Sequence, residues 1–584
     1  MRFIRRATLF VAWVLTPLLA RGPLAHAQRQ PASGNPPRAA SPGRGRVPQP
    51  LADYVGVYDY AAGGTIELVA GDALLAVLDE ARYPLRQAGR DRFVNGQGDT
   101  IPFHRDAGGA VLGFVERGTF YRRRSPRVSP ASAALAYPRP PGAAAYRYHP
   151  PADRGDGIAV GDIARTPLGV ETAERIVGGV LDGTWADVHG VLLYQGGRLV
   201  LEEYFYGYGP DRPHQLRSAT KSVVGALAGI AVARGALRGV TEPVLPRLPY
   251  AGYENADPRK ERLTLGDLLT MRAGLACDDH DAASPGRETE LYGRPDWVKA
   301  TLDLPMAAAP GTEARYCSGA VAVAGRMVER AVGASLPAFA DTALFRPLGI
   351  QPGAWRWDYT LTNANREFGQ LYLRPRDLLK LGVLYAQGGR WRGRRVLPAS
   401  WVAASLAPQT ELENTGYGYF WWRPWLDVVT DAGAERVYLN AAQGNGGQKI
   451  YLVPQFDLVA VFTGGAYNAP SAPPNTIMAR VILPRLLNAR RAASTGGLSC
   501  RRRRAGERTP GEGPAVRPRD PGAALVSSLT HGSDSTATQA IGNAPTIETT
   551  SANVPADAAT RPSDRAACPH VGSGWALPRG FRAV

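Results

Sequence analysis

The chain has 584 residues, 44% hydrophobic and 20% charged, which is a soluble globular composition too long for one ordinary domain. Its net charge of +17 sits mostly in the ends: residues 1–50 hold eight Arg and no acid, and residues 491–584 hold twelve Arg against seven acids. The middle is nearly balanced and has no basic groove interleaved with aromatics, which excludes nucleic acid as an expected partner.

Taken in chain order, Arg2, Arg5 and Arg6 precede an apolar run from Ala7 to Ala20, and Ala25-His26-Ala27 offers small residues for cleavage before Gln28. This predicts a signal peptide over residues 1–27 and a periplasmic or secreted protein. The run is shorter than the roughly 20 residues a bilayer needs, so no stable membrane span is expected after its removal; a retained anchor is the alternative. Residues 28–50, rich in Pro, Gly, Ser and Arg, read as a disordered linker.

From Leu51 to Arg124 short alternating runs (Thr65–Val69, Ala73–Leu78, Val111–Tyr121) are broken by glycine turns, which predicts a small N-terminal all-β domain over residues 51–124. A Pro-rich linker is expected over 125–162. Residues 163–490 mix strands and helices. Val191–Tyr194 and Leu199–Tyr204 flank Gln195-Gly196-Gly197-Arg198, a hairpin signal. One helix is predicted from Ser218 to before Gly235, a second over Leu265–Met271 with Thr264 and Asp267 as a capping-box pair, and a third from Ser318 to before Gly333. Ile450–Val453 and Leu458–Phe462 form a late hairpin, so the sheet should join strands from opposite ends of this domain. Residues 491–584 lack periodicity and read as a disordered tail. Of the four cysteines, Cys277 and Cys317 are expected to pair in an oxidising compartment, with two buried free thiols as the alternative.

Lysine usage points to the chemistry. Only five of the 68 basic residues are Lys: Lys221, Lys260, Lys299, Lys380 and Lys449. Lys221 lies in an apolar helix three residues after Ser218, which puts both side chains on one helix face. Desolvation that lowers its pKa would let the amine take the Ser218 proton and activate the nucleophile. A helix start also leaves the Ser218 N–H free for an oxyanion. Such a spacing arises by accident in about one chain in three with this many lysines, so two further segments matter. Tyr316-Cys317-Ser318 supplies a phenol as second proton-handling group and a hydroxyl that passes a proton or binds substrate. Gly446, Gly447 and Gln448 open an apolar strand, where a Gly-rich entry brings backbone N–H groups to a substrate. The eight His show neither His-x-x-x-His nor clustering with Cys, so neither metal nor cofactor is expected. Trp421, Trp422 and Trp425 are expected to pack the core or line a cleft wall.

The order Ser-x-x-Lys, Tyr-x-Ser, Gly-rich strand resembles the serine β-lactamase and penicillin-binding superfamily, most of all its class C-like branch. LLTMRAGL (Leu268–Leu275), LFRPLGI (Leu344–Ile350), LRPRDLLKLGVLY (Leu373–Tyr385), WRGRRVLPASWV (Trp391–Val402), GYGYFWW (Gly416–Trp422) and LVAVFTGG (Leu458–Gly465) are similar to it as well. YVGVYDY at Tyr54 looks like the small barrel-like domains attached to some relatives. The resemblance implies an α/β (α+β) fold, an antiparallel sheet flanked by helices plus a helical subdomain. It implies Ser218 as nucleophile, Lys221 and Tyr316 as base and acid, Ser318 as assisting hydroxyl, and a second oxyanion donor at Gly446–Gln448. Where the superfamily carries Lys-Thr-Gly or a His variant, this chain offers Ala442-Gln443-Gly444 or Gly444-Asn445-Gly446, without a cation. Lys449 is adjacent, but alternation should turn it away. That departure favours an ester or small-amide substrate. The rivals are a D-Ala-D-Ala carboxypeptidase or β-lactamase acting on cell wall or β-lactams, and a catalytically idle receptor for peptidoglycan fragments.

Overall fold

The computed structural model describes residues 49–506, except 61–63, 79–80, 97, 249, 293, 359–369, 468 and 470–472. The expected signal peptide, most of the first linker, and the tail beyond residue 506 lie outside the described residues.

Eight short strands come first: β1 (Gly56–Asp59), β2 (Thr65–Ala70), β3 (Leu74–Leu78), β4 (Ala81–Gly89), β5 (Arg92–Val94), β6 (Thr100–Arg105), β7 (Val111–Glu116) and β8 (Thr119–Ser125). Each pairs antiparallel with the next, and β1 pairs back with β8, so the sheet closes into a barrel with no free edge. Alternation sorts the side chains. Ile66, Leu68, Leu74 and Ala76 point into the barrel, while Val69, Leu75 and Val77 pack outward on the larger body. One end of the interior is filled by Tyr54, Tyr58, Phe93, Phe103 and Phe114, with Tyr54 and Phe103 centroids 4.8 Å apart.

The segment expected as a linker is docked instead. Ser129 caps a short helix at Pro130–Ala134, Leu135 is buried, and the Tyr146 hydroxyl donates to Glu203 at 2.8 Å. Buried Arg376 donates to Ala152 O at 2.6 Å and to Glu202 at 2.6 Å, which pins the chain to the body. Prolines mark it as irregular, but its tyrosines have apolar surface to cover, and that surface comes from elsewhere in the chain.

The larger body is built on an antiparallel sheet of β9 (Val188–Gln195), β10 (Arg198–Tyr204), β11 (Thr410–Leu412), β12 (Thr415–Tyr417), β13 (Trp422–Arg423), β14 (Asn440–Gly444), β15 (Gln448–Val453) and β16 (Leu458–Gly464). Their spatial order is β10-β9-β16-β15-β14-β13-β12-β11. The earliest hairpin therefore lies beside the last strand, with Val191 opposite Phe462. Both faces are covered. Leu192, Val461, Ile450 and Leu452 turn to one face, against α2 (Thr220–Ala233), α4 (Ser318–Val332) and α5 (Pro375–Ala386). Val191, Leu193, Phe462 and Tyr451 turn to the other, against α1 (Val170–Leu181) and α6 (Leu483–Gly506). Between them in sequence, α3 (Leu265–Leu269) starts from a full Thr264–Asp267 capping box.

Helix α2 is buried on all sides, and a Cβ at Gly229 would come within 2.4 Å of the Trp401 ring, so glycine permits that approach. Helix α6 runs past Arg491 to Gly506, which corrects the expectation of a tail beginning at 491: Leu483, Leu486 and Leu487 are buried, and Arg490 and Arg491 pair with Glu435. No helix among the described residues is long and apolar enough to cross a membrane.

Candidate active site

Ser218 lies in a single 3-10 turn, Arg217–Ala219, immediately before α2, so the helix begins two residues later than Ser218 itself. Arg217 holds φ +49°, the left-handed region that costs a side-chain-bearing residue about 1–2 kcal/mol. Such strain persists only where the surroundings impose it. Here β14 does so: a Cβ at Gly444 would lie 2.1 Å from Leu216 O and 3.1 Å from the Arg217 Cβ, so bare backbone presses on the turn.

Lys221 sits one turn along, 2% exposed. Its Nζ donates to Ser218 Oγ at 3.0 Å and to Ser318 Oγ at 3.0 Å, and lies 4.8 Å from the Tyr316 ring centroid. Ser218, Lys221, Tyr316 and Ser318 thus form one cluster, although Lys221 and Ser318 are 97 residues apart in sequence.

The electrostatics differ from the sequence expectation. Burial does pull the Lys221 ammonium down, but Tyr316, Glu288 and Asp279 more than offset it and leave its pKa above the usual lysine value. Burial raises the Tyr316 phenol as well, against the opposing pull of Lys221. At neutral pH the pair therefore holds both protons, and Lys221 is not a free amine. One reason is the half-buried acid Asp279, which no motif announced. Its carboxylate accepts the Ser318 N–H and the Glu288 N–H, each at 2.8 Å, while its own N–H donates to Tyr316 O at 2.7 Å. Burial, then Glu288, raise its pKa to about 6 against the pull of Lys221.

The same loop is tied to the Tyr316 segment by a Cys277–Cys317 disulfide with Cα atoms 5.4 Å apart. His280 stacks on Tyr316 with centroids 5.2 Å apart and 14° between planes, and bonds Glu413. That bond raises its pKa against the effect of burial. Trp422 forms another wall, 5.5 Å from the Tyr316 centroid, whereas Trp421 is buried against Tyr385 and Trp425 packs near Tyr438. A sequence signal for Asp279 and His280 did exist: both follow Cys277, and a disulfide to Cys317 brings them beside Tyr316.

The Gly-rich segment divides. Gly444 is the residue against the Ser218 turn. Gly446 and Gly447 form the β14–β15 turn at φ +90° and +95°, with Gly446 against Tyr467. The Gln448 side chain is buried and committed: its amide donates to Gly464 O at 2.6 Å and accepts the Gly464 N–H at 3.1 Å. Lys449 shares the face of Tyr451, away from Ser218, and bonds Gln443; burial lowers it to about 8.

The Beta-lactamase family model matches residues 174–475, more than half of the chain. The 6-aminohexanoate-dimer hydrolase of Paenarthrobacter ureafaciens is 26% identical over 295 residues, covering 46% of this chain and 70% of its own. Esterase EstB of Burkholderia gladioli is 30% identical over 173 residues, covering 28% of this chain and 44% of its own. Among solved structures, a penicillin-binding protein homolog from Caulobacter crescentus is 17% identical over 55% of this chain and 96% of its own, with a TM-score of 0.41. The matched span begins before β9, ends beyond β16, and contains all four clustered side chains; the chain is a serine hydrolase of the β-lactamase family.

Proposed function

We propose that this chain is an exported hydrolase of the class C-like branch that cleaves an ester or small amide through an acyl-enzyme on Ser218. The observation that carries it is the Lys221 ammonium 3.0 Å from two serine hydroxyls and 4.8 Å from the Tyr316 ring centroid. Once the Tyr316–Lys221 pair has released one proton to solvent, it takes the Ser218 proton as Oγ attacks the substrate carbonyl carbon. The oxyanion so formed is met by the Ser218 N–H and by backbone N–H groups at the β14 end, next to Gly444. The pair returns the proton to the leaving oxygen or nitrogen as that bond breaks. Water then repeats the sequence on the acyl-enzyme and releases the acid. No cofactor takes part.

An ester and a small amide are the substrate classes named by the two relatives above, and the strand beside Ser218 turns Ala442, not a cation for a β-lactam carboxylate, to the face of α2. The basic, then apolar, then small-residue pattern of residues 1–27 supports export, as does a disulfide, which persists in oxidising compartments. The test is covalent labelling of the full chain. A fluorophosphonate should modify Ser218 and a penicillin should not, and Ser218→Ala should abolish ester turnover. Penicillin labelling would move the assignment to the cell-wall enzymes, and unchanged turnover by Ser218→Ala would end it.

A further inference from the structure

The N-terminal barrel is hollow: a cavity of about 290 Å³ lies between its aromatic floor and its other end. An eight-stranded barrel has room for one small ligand, and this volume is near the lower limit for ligand pockets. At about 30 Å³ per water-sized group it holds roughly ten methylenes in a single file. The walls are Ile66, Leu68, Ala76, Leu85, Ile101 and Phe114.

The open end is identified by the turns. Tyr60, Leu78, Asn95 and Glu116, which line the cavity, all stand where an odd strand passes to the even one after it. The larger body adds lining of its own: Asp187, and Gly465, Ala466 and Tyr467 just after β16. Tyr467 is the link to the chemistry. The Arg217 guanidinium lies 4.8 Å from its ring centroid, and Arg217 precedes Ser218.

We propose that the barrel cavity receives the alkyl chain of an ester whose carbonyl reacts at Ser218. This rests on the acyl-enzyme reading and names its substrate class. The rim favours a neutral ester over a fatty-acid anion. Buried Glu116 accepts from Tyr60 Oη at 2.9 Å and from Asn95 Nδ2 at 3.2 Å, and the Arg82 cation at the same rim is engaged by Asp187. The chain lies on either the acyl or the alkoxy side of the ester, and the assay separates the two.

The full chain is assayed with p-nitrophenyl esters from acetate to decanoate, and with alkyl acetates from ethyl to decyl. In one series kcat/KM should climb about fourfold for each methylene that enters the barrel, from about 0.8 kcal/mol per buried CH2. The climbing series identifies the side of the ester. Ala76→Phe, filling the cavity, should flatten that series; Leu78→Phe serves if the first variant does not fold. In Ser218→Ala protein, 1-decanol should displace the neutral dye 1-aminoanthracene more strongly than decanoate does. Two flat series, or an unaltered slope in a folded cavity-filling variant, overturn the proposal. Loss of all turnover in Ser218→Ala together with flat series refutes the barrel role alone, whereas turnover that survives Ser218→Ala refutes the nucleophile instead.

Discussion

Replacing Asp279 by asparagine should uncouple stability from pH over one defined window. The folded-state pKa of Asp279 is about 6, against 3.8 for an unperturbed aspartate, because burial and Glu288 disfavour its ionised form. A shift of about two units corresponds to roughly 3 kcal/mol, at about 1.4 kcal/mol per unit. The sign follows from linkage. The folded state holds this proton more tightly, so the stabilisation is complete below pH 3.8 and is lost as pH rises through about 6. The amide in Asp279→Asn has no such proton to lose. Urea unfolding of both proteins from pH 4 to 7 should therefore show the variant gaining about 2 kcal/mol of that total relative to the parent, whatever constant offset its changed hydrogen bonds introduce. The same substitution weakens the acceptor of the Ser318 N–H and removes a counter-charge to Lys221, so kcat should fall by on the order of tenfold, the effect of one buried hydrogen bond of about 1.4 kcal/mol. A stability difference that stays constant between pH 4 and 7 refutes the assignment of an Asp279 that must ionise within the fold.

Because Tyr316 and Lys221 both titrate above their usual values, the proton-accepting form is scarce at neutral pH, and kcat/KM should rise close to tenfold per pH unit from pH 7 toward 9; a flat profile there argues against the pair as base. Tyr316→Phe should cost about 10²–10⁴-fold in kcat and abolish that rise, measured with the same ester. Gly444→Ala places a methyl group 2.1 Å from Leu216 O, and the displaced Ser218 turn should lower kcat by on the order of 10²-fold and lower Tm as well, since backbone must move. Reducing the Cys277–Cys317 bond, which closes a separation of 40 residues, should lower unfolding free energy by about 4 kcal/mol, read by urea denaturation with and without reductant.

Much of this protein follows from local pattern. The Gly196-Gly197 turn fixes the first hairpin, the Thr264–Asp267 box starts α3, and the left-handed Gly333 ends α4. The one-turn spacing of Ser218 and Lys221 likewise needs only helical geometry. Other features resisted for identifiable reasons. The tyrosines at 146 and 148 mark the 125–162 segment as packed only once β10 is beside them, and their Pro-rich surroundings read as a spacer. Gly444 differs from Gly446 and Gly447 by what lies against it, which is the backbone of Leu216, far earlier in the chain.

The sequence by itself determined the one-turn spacing of Ser218 and Lys221 and the alternation that builds the sheets, because these depend on contacts within a turn or along a strand. Tertiary structure alone decided that Lys221 keeps its proton, that Asp279 stands beneath Ser318, and that the barrel opens toward Tyr467. Burial and Coulomb energy at one atom sum over every residue folded around it, and those neighbours come from loops and strands far apart in the chain.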